Sequence, residues 1–336
     1  MVQNIIILDE PTASLTLNET EHLFKNIRKL KNEGKAIIMI THHLDEVLEI
    51  ADRVTIMRDG KLIRISNTSD LSIDDMIYYM ANQKVEKSQH IVRPVSDQVF
   101  LKVIGLCRGK EFQNVDFEVK KGEIFGVAGL VSGTDRTVFL LIRSYKKRQG
   151  KSVLEGKEVE ITSPNEAISY GIGLVPEERR KQGMFPILSI YENIMMPNYH
   201  KVTRMGRINF SQAREAANRH IQALRINTPD CLTQIKNLSG GNQQKVILGR
   251  WMEKQVKLFI LDEPTRGIDV RAKGEIYKLI RDMADSGITV IVISSEIEEL
   301  LTLADRIMIM NGGRVKGFVV PNEDMEREDI LKVALH

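Results

Sequence analysis

The sequence predicts an α/β protein whose main sheet is parallel, and three observations support this class. Apolar strands alternate with amphipathic helices over residues 1–65, and the same alternation returns near the carboxyl terminus. Such alternation is typical of a mainly parallel sheet with helices on both faces. The acidic pair Asp262 and Glu263 follows an apolar run, and the segment Leu8–Thr12 carries the same pair near the amino terminus.

The second acidic pair belongs to an internal repeat. Asp9 corresponds to Asp262 at an offset of 253 residues, and the match continues without a gap for about fifty residues. A repeat of this length indicates two copies of a domain. The same offset places the first copies of two motifs, a serine-glycine turn and a glycine loop, before residue 1. We therefore expect an amino-terminally truncated first copy, either a truncated gene product or a fragment.

Three segments follow from this repeat. Residues 1–65 are predicted to be the carboxy-terminal remnant of the first domain, residues 66–98 a linker, and residues 99–336 a second, complete domain. In the remnant, the pattern predicts strands at 5–8, 36–40 and 54–57 and helices at 19–32 and 44–51. The pair Asp59 and Gly60 predicts a turn, and the linker begins with a short helix at 74–82.

The second domain is expected to have three parts. Runs at 99–106 and 115–119 predict a small antiparallel β subdomain, and the run at 124–128 predicts a strand that leads into a loop at 129–137. Residues 160–235 are more helical and predict a helical subdomain. The last part repeats the strand and helix alternation of the first copy and ends in a helix at 325–334.

Composition excludes several classes of function. With 48 basic against 45 acidic residues, the net charge of +3 is too small to indicate nucleic acid as the main partner. Two cysteines, Cys107 and Cys231, without CxxC spacing favour a reduced cytosolic protein with neither disulfide nor zinc. No apolar run approaches the roughly 20 residues that cross a bilayer. Any membrane role is then peripheral and acts through a partner.

The acids after the apolar strand are the first candidate site. Carboxylates on a buried strand are costly unless they face a cation or a reactive site. An apolar strand that ends in Asp-Glu is the Walker B pattern, in which Asp262 holds Mg²⁺ and Glu263 orients an attacking water. The run Leu238-Ser-Gly-Gly-Asn-Gln-Gln244 adds a hydroxyl and backbone N–H groups at a helix start, which suits a phosphate.

The loop at 129–137 lies where a phosphate-binding loop should be, between a strand and a helical run. The usual pattern is G-x-x-x-x-G-K-[ST], but here Arg136 replaces lysine and follows Gly129 by seven positions, one more than usual. If the register follows Arg136, Thr137 could ligate Mg²⁺. If it follows Gly129, Asp135 falls in the lysine position and repels phosphate. We favour weak or altered nucleotide binding, with a plain strand–helix turn as the alternative. The candidate residues are Gly129, Ser132, Gly133, Thr134, Arg136 and Thr137.

These motifs, together with Val175-Pro-Glu-Glu-Arg179 and the Arg-Gly-Ile-Asp run that ends at Asp269, resemble the ATP-binding-cassette (ABC) ATPases. Within that family, the chain is most similar to the tandem ATP-binding subunits of bacterial monosaccharide importers of the ribose, galactose and xylose type. The resemblance implies the P-loop NTPase-type fold of an ABC nucleotide-binding domain, with ATP and Mg²⁺ as cofactors.

The resemblance also implies individual roles. Ser239, Gly240 and Gly241 would contact the γ-phosphate bound by a facing domain, with Gln243 nearby. Glu177 or Glu178 would take the place of a glutamine that touches the metal and the transport partner, unless this segment is only a charged surface turn. The further candidates are Asp269 in the loop that crosses between domains, Ser295 in place of the switch histidine, and, in the first copy, Glu10 and His42. A structural role is the alternative for His42.

For partners, the resemblance implies membrane permease subunits and, indirectly, a periplasmic sugar-binding protein, at the cytoplasmic face of the inner membrane. Neither composite ATP site can be completed within residues 1–336, so we expect ATP hydrolysis at or near background for the isolated chain. A homodimer or a complementing cassette half could complete the sites. Two other functions stay open: a non-catalytic remnant that binds nucleotide or permease, and a soluble tandem-cassette ATPase unconnected with transport. The short, mixed segment 66–98 counts against the latter.

Overall fold

The structure is a computed structural model that describes residues 4–12, 17–41, 43–58, 60–81, 93–108, 112–129 and 149–335. The chain divides into two compact units. One comprises Met1–Ser88 with Gly267–Lys273, and the other comprises Gln89–Arg266 with Gly274–His336.

The first unit contains two short sheets. Its strands are β1 (Ile5–Asp9), β2 (Ala36–Ile40), β3 (Arg53–Arg58) and β4 (Lys61–Asn67), and its helices are α1 (Leu17–Asn32), α2 (Leu44–Ile50) and α3 (Ile73–Ala81). Strands β1 and β2 are parallel, whereas β3 and β4 form an antiparallel hairpin. Gly34 follows α1 with a φ of 81°, a left-handed conformation that favours glycine after a helix. Ile56, Leu71 and Met76 form a small core beside the hairpin.

The elements that follow in the chain form two larger sheets and one short hairpin among the described residues. The strands are β5 (Val99–Arg108), β6 (Phe112–Lys120), β7 (Ile124–Gly129), β8 (Gln149–Leu154), β9 (Lys157–Val159), β10 (Ile172–Val175), β11 (Thr203–Arg204), β12 (Arg207–Ile208), β13 (Leu258–Asp262), β14 (Thr289–Ser294), β15 (Arg306–Asn311) and β16 (Arg314–Val319). The helices are α4 (Pro164–Ser169), α5 (Ile190–Met195), α6 (Phe210–Ala223), α7 (Gly240–Lys254), α8 (Val270–Asp285), α9 (Ile297–Leu303) and α10 (Arg327–Leu335).

The main sheet of the second unit has six strands in the order β10-β13-β14-β7-β15-β16. All of its neighbouring pairs are parallel except β15 with β16. Strand β13 and strand β14 are buried along their whole length, which explains why their sequences are apolar runs without alternation. The prediction of a mainly parallel α/β fold is confirmed.

A four-stranded antiparallel sheet, in the order β6-β5-β8-β9, covers one face of the main sheet. The two sheets share one apolar core, in which Phe117 and Phe125 stack with their ring centroids 5.7 Å apart. This sheet is the predicted antiparallel subdomain. Its second hairpin, β8 and β9, was not predicted, because its residues are mostly charged or polar and show no apolar period.

Helices α5 and α6 lie within the predicted helical subdomain at 160–235, and α7, which lies beyond the predicted bounds, packs against both of them. Helix α5 begins with a capping box, in which the Glu192 amide donates to the Ser189 hydroxyl and Glu192 accepts from the Ser189 amide. The buried Arg250 guanidinium joins these helices to the preceding chain by donating to the carbonyl oxygens of Asn193 and Gly183, each at 2.7 Å. Burial lowers the pKa of Arg250 to about 10, which still leaves it charged at neutral pH.

Comparison of the repeated segments shows how strand pairing and burial differ between the two units. In the second unit β7 lies between β14 and β15, whereas their counterparts β2 and β3 belong to separate sheets among the described residues. Ile7 is 64% exposed, whereas its counterpart Ile260 is fully buried in the core that the main sheet shares with the antiparallel sheet. The same residue pattern therefore has an uncovered face in the first unit.

Residues 66–81, in the first half of the segment predicted to be a linker, belong instead to the first compact unit. Strand β4 extends to Asn67, and the predicted short helix, observed as α3, packs into the first unit through Met76. The strand at 61–67 was not predicted beyond the turn at Gly60, since its polar residues gain their order from pairing with β3. No helix in the described parts of the chain is both long and apolar enough to cross a bilayer.

Candidate functional site

The candidate site lies at the carboxyl ends of four adjacent strands, β10, β13, β14 and β7. Paired residues place these ends side by side: Asp262 lies opposite Ile293, and Ser294 lies opposite Ala128. Ligands of parallel α/β sheets bind at this edge. The structure thus brings the candidate residues Glu177, Asp262, Glu263 and Ser295 to one edge, together with Gly129 at the end of β7.

Glu263 has an unusual backbone conformation. Its φ is +46°, in the left-handed region that residues other than glycine seldom adopt. Two hydrogen bonds hold it there: its amide donates to the Ile293 carbonyl oxygen at 2.8 Å, and its Oε1 accepts from the Ser295 amide at 2.7 Å. The carboxylate is therefore fixed beside Ser295, and the residue is only 9% exposed.

Asp262, which is 5% exposed, ends β13 on the same edge, and its Oδ2 accepts from the Glu177 amide at 3.2 Å. A buried carboxylate is costly unless a cation or donors face it. Magnesium usually takes one or two carboxylates and completes its octahedron with phosphates and water. Asp262 with its neighbouring acid fits that demand. Among the described residues no group of three or more His, Cys, Asp or Glu side chains is arranged around a metal position.

The turn after β10 is tied to the turn after β13. Glu177 forms an ion pair with Arg266, and Arg179 donates through Nη1 to the Arg266 carbonyl oxygen at 2.5 Å. Burial, with a smaller contribution from Arg180, lowers the pKa of Arg179. Sequence reasoning predicted Glu177 but missed Arg266 as its partner. The signal was the opposite charge of two residues that both follow strands of one sheet.

The Leu-Ser-Gly-Gly run opens α7 as predicted, with exposed Ser239 as the N-cap residue. Ser239 is held by Asn242, whose Nδ2 donates to the Ser239 hydroxyl oxygen at 2.9 Å. Gly240 is half-buried, whereas Gly241 is buried. Gln243 is buried, and its Nε2 donates to the Leu238 carbonyl oxygen at 3.0 Å, so its position near a phosphate stays a prediction. It supports the turn from inside, because it lies on the core side of the helix.

Several predicted residues lie outside the described residues. Of the predicted phosphate loop only Gly129 is described, at the end of β7 opposite Met310. The others are Ser132, Gly133, Thr134, Arg136 and Thr137, so the two registers of that loop and the magnesium role of Thr137 remain predictions. The predicted His42 also lies outside the described residues.

Two further candidates have clear local roles. Glu10 has the same turn as Glu263, with a φ of +43° and an amide that donates to the Ile40 carbonyl oxygen at 2.8 Å, but it is exposed. Asp269 caps α8, because its Oδ1 accepts from the Ala272 amide at 3.0 Å. That bond accounts for an acid at this position, and a role for Asp269 at a nucleotide stays a prediction.

A buried pair behind the site was not predicted. The Thr265 hydroxyl donates to Glu299 Oε1 at 2.8 Å. In the first unit, the Thr12 hydroxyl donates to Glu46 Oε2 at 2.9 Å. Both pairs are related by the repeat offset of 253 residues. That coincidence of residue types in the two copies was the signal available in the sequence.

Similarity to known proteins identifies the family of the chain. Residues 112–266 match the family model of the ABC transporter. The chain is 44% identical over 335 residues to a galactose/methyl galactoside import ATP-binding protein of Clostridium tetani, covering 98% of this chain and 66% of that protein. It is 38% identical to a xylose import ATP-binding protein of Thermoanaerobacter pseudethanolicus, covering 98% and 67%.

A solved structure also matches, a nucleotide-free ATP-binding cassette from an ABC transporter. The TM-score is 0.59 at 18% identity, over 71% of this chain and 95% of that one, which shows a shared fold. An α/β cassette with an acidic pair at its strand edge thus defines the class, and the chain belongs to the ABC transporter ATP-binding proteins. Membership implies a nucleotide-binding domain. The chain spans about two thirds, 66%, of the length of the first of these relatives.

Proposed function

We propose that the protein is an ATP-binding subunit that couples ATP binding and hydrolysis to import of a monosaccharide through a membrane permease. The observation that carries this proposal is the placement of Glu263. Its left-handed turn and its bond to the Ser295 amide hold a carboxylate beside Asp262, at the edge where a parallel sheet binds ligands.

In this function, each residue at the carboxyl ends of the strands of the main sheet has a distinct role. Asp262 would hold Mg²⁺, which neutralises phosphate charge when bound. Glu263 would orient a water molecule and take up its proton. Ser295 would offer a hydroxyl where a histidine would offer a cation, so it stabilises developing charge less well. Ser239, Gly240 and Gly241 would donate to a phosphate held by a facing cassette.

The substrate class comes from the relatives, which are import ATP-binding proteins for galactose, methyl galactoside and xylose. We infer a monosaccharide as the transported solute and permease subunits as the direct partner, fed by a periplasmic sugar-binding protein. The subunit would then lie peripherally at the cytoplasmic face of the inner membrane. The turn that carries Glu177 is the candidate contact with the permease.

The 336 residues contain one Leu-Ser-Gly-Gly run, whereas two facing cassettes need two. We therefore propose that residues 1–336 alone hydrolyse ATP at or near background, and that a second copy or a complementing cassette half raises the rate. The second candidate function is nucleotide or permease binding without turnover. Ser295 in the switch position favours it, because a hydroxyl carries no positive charge.

The test measures MgATP binding and phosphate release with the purified chain, alone and reconstituted with a permease of a monosaccharide importer. Glu263→Gln removes the carboxylate but keeps its shape, and Glu155→Gln, an exposed residue paired with Lys257, is the matched control. We expect MgATP binding by the chain alone, and turnover with the permease that Glu263→Gln lowers at least about a hundredfold.

Each outcome decides between the candidates. Binding without turnover under all conditions selects the second function. Absence of MgATP binding overturns the first function and the nucleotide-binding form of the second, and leaves only permease binding. Turnover by the chain alone that Glu263→Gln abolishes overturns the expectation of background activity while it supports the role of Glu263.

A further inference from the structure

We propose that Thr265 and Glu299 act as a positioning pair that holds Glu263 against Ser295. The proposal rests on the proposed function, because that function assigns catalysis to Glu263. The pair touches none of the reacting atoms. It acts by joining the turn after β13 to the helix that follows Ser295.

The two segments are joined at two points. At the front, Glu263 Oε1 accepts from the Ser295 amide at 2.7 Å. Behind it, two residues after Glu263 and four after Ser295, the Thr265 hydroxyl donates to Glu299 Oε1 at 2.8 Å. Two bonds at separate points restrict rotation of one turn against the other, which a single bond allows. Loss of the rear bond should therefore loosen the front one.

The burial of Thr265 and Glu299 helps to distinguish a positioning role from a purely stabilising one. Thr265 is 1% exposed and Glu299 is 2% exposed, so a carboxylate lies inside the protein. Burial of a carboxylate is costly, and an apolar residue of similar size is often as good or better for stability. A purely stabilising role therefore explains a buried glutamate poorly at this position, whereas a directional tie between two turns needs a hydroxyl and an acceptor.

Tyr277 of α8 also contacts the pair. Its side chain hydrogen-bonds with Thr265 and with Glu299, and burial raises the pKa of the phenol, with smaller contributions from Glu299 and Glu296. The phenol thus stays neutral and keeps its proton for donation. In the first unit Phe24 takes the corresponding position, so the tie itself does not require the phenol.

The repeat supplies an independent copy. Thr12 and Glu46 form the same bond at 2.9 Å behind Glu10, whose φ of +43° matches that of Glu263. The surroundings differ, since the first unit lacks a counterpart of the antiparallel cover among the described residues. The pair and the left-handed acid turn thus occur together in two different environments, as expected if the pair holds the turn.

The experiment compares Thr265→Val, which removes the hydroxyl, with Thr265→Ser, which keeps it. The readout is hydrogen–deuterium exchange on peptides that contain the Ser295 amide, in the whole chain without nucleotide. We expect Thr265→Val to speed this exchange roughly tenfold, the factor that loss of one protective hydrogen bond gives. Thr265→Ser should exchange as the parent does. Thr12→Val breaks the counterpart bond and should leave the Ser295 amide unchanged.

A second variant tests the same bond from its acceptor side. Glu299→Leu removes the acceptor, and Glu299→Gln keeps an oxygen. Glu299→Leu should speed exchange at least as much as Thr265→Val, because it also removes the bond to Tyr277. The double variant should add little to Glu299→Leu, because both single changes remove the Thr265–Glu299 bond. Where the reconstituted protein turns over ATP, Thr265→Val should lower kcat with KM unchanged.

Unchanged exchange at Ser295 in folded Thr265→Val and Glu299→Leu would overturn the proposal. So would equal acceleration in Thr265→Ser. These readouts need no hydrolysis, so they can succeed while the proposed function fails. If exchange responds and no variant or parent hydrolyses ATP, the positioning pair stands and the ATPase function falls.

Discussion

Arg266 and Glu177 form an ion pair that connects the turn after β13 with the turn after β10. Both side chains are about two fifths exposed, at 41% and 40%. An ion pair that faces water contributes roughly 0–1 kcal/mol, because solvent screens it. Its consequence lies in where it holds Glu177, whose own amide donates to Asp262. The first copy has Ala13 at the position of Arg266 and cannot form this pair.

We expect Arg266→Ala to weaken MgATP binding several-fold, because the Glu177 carboxylate then lacks this cation beside a site for phosphate. The free energy of unfolding should change by less than about 1 kcal/mol. The double variant Arg266→Ala with Glu177→Gln removes the carboxylate as well and should regain most of the affinity. The measurement is the Kd for MgATP by titration calorimetry. Equal affinities in all three proteins would contradict a charge role for the pair.

Ser295 offers a gain-of-function test. Ser295→His places an imidazole where Glu263 already holds the backbone, and His can carry a positive charge near neutral pH. We expect higher ATP turnover in the reconstituted protein, by roughly tenfold or more for one added charge-stabilising group. Ser295→Asn, a polar side chain that stays uncharged, is the control. A turnover equal to the parent, with MgATP binding intact, would exclude the expected role of charge at this position.

Because one face of the first unit is exposed, we expect the same isoleucine-to-alanine substitution to lower the free energy of unfolding by different amounts in the two units. Ile260→Ala should lower the free energy of unfolding by roughly 2–5 kcal/mol, because it empties a filled core. Ile7→Ala should cost less than about 1 kcal/mol, since this side chain already faces water. The fluorescence of Trp251, the single tryptophan, follows urea unfolding of the second unit, and hydrogen–deuterium exchange of peptides from the first unit follows the effect of Ile7→Ala. A comparable loss from both changes would mean that Ile7 is covered in solution.

Gly126 lies in the main sheet where the neighbouring side chains leave little room for a Cβ. A Cβ there would lie 3.0 Å from the Ala304 Cβ and 3.1 Å from Ile307 Cγ1. We expect Gly126→Ala to destabilise the second unit by roughly 1–3 kcal/mol through overpacking. Gly274 in α8 has no atom within 4 Å of such a Cβ, so Gly274→Ala should gain up to about 1 kcal/mol. Urea midpoints monitored by fluorescence compare them, and a neutral Gly126→Ala would show that α9 can shift.

The regular elements could be predicted where burial dictated the pattern. The run at β13 is apolar because both of its faces are covered, and a parallel strand followed from that. Strand β8 and strand β9 could not be found this way, since they pair at an exposed edge with side chains such as Lys151 and Glu158. Their order comes from backbone pairing, which leaves little trace in the apolar pattern.

Some residues of the candidate site could likewise be predicted from the sequence, and others could not. Asp262, Glu263 and Ser295 could be predicted, because each directly follows an apolar strand of one sheet. Gln243 could not be assigned to a face, since the pattern of α7 is buried almost all round and gives no clear polar side. The Thr265–Glu299 pair joins residues 34 positions apart. Only the repeat could have suggested that contact, because the first copy has the same two residue types, Thr12 and Glu46, at the corresponding positions.

The positive φ of Glu10 carries a lesson for protein engineering. Glu10 has the same left-handed turn as Glu263 on a sheet of only two described strands, whereas Glu263 follows a strand of a six-stranded sheet. The features that accompany this turn in both units are two paired parallel strands, a proline-threonine step and one glutamate on the helix after the second strand. A designer who wants a rigid acid at the rim of an artificial sheet could graft that small module instead of a whole catalytic domain.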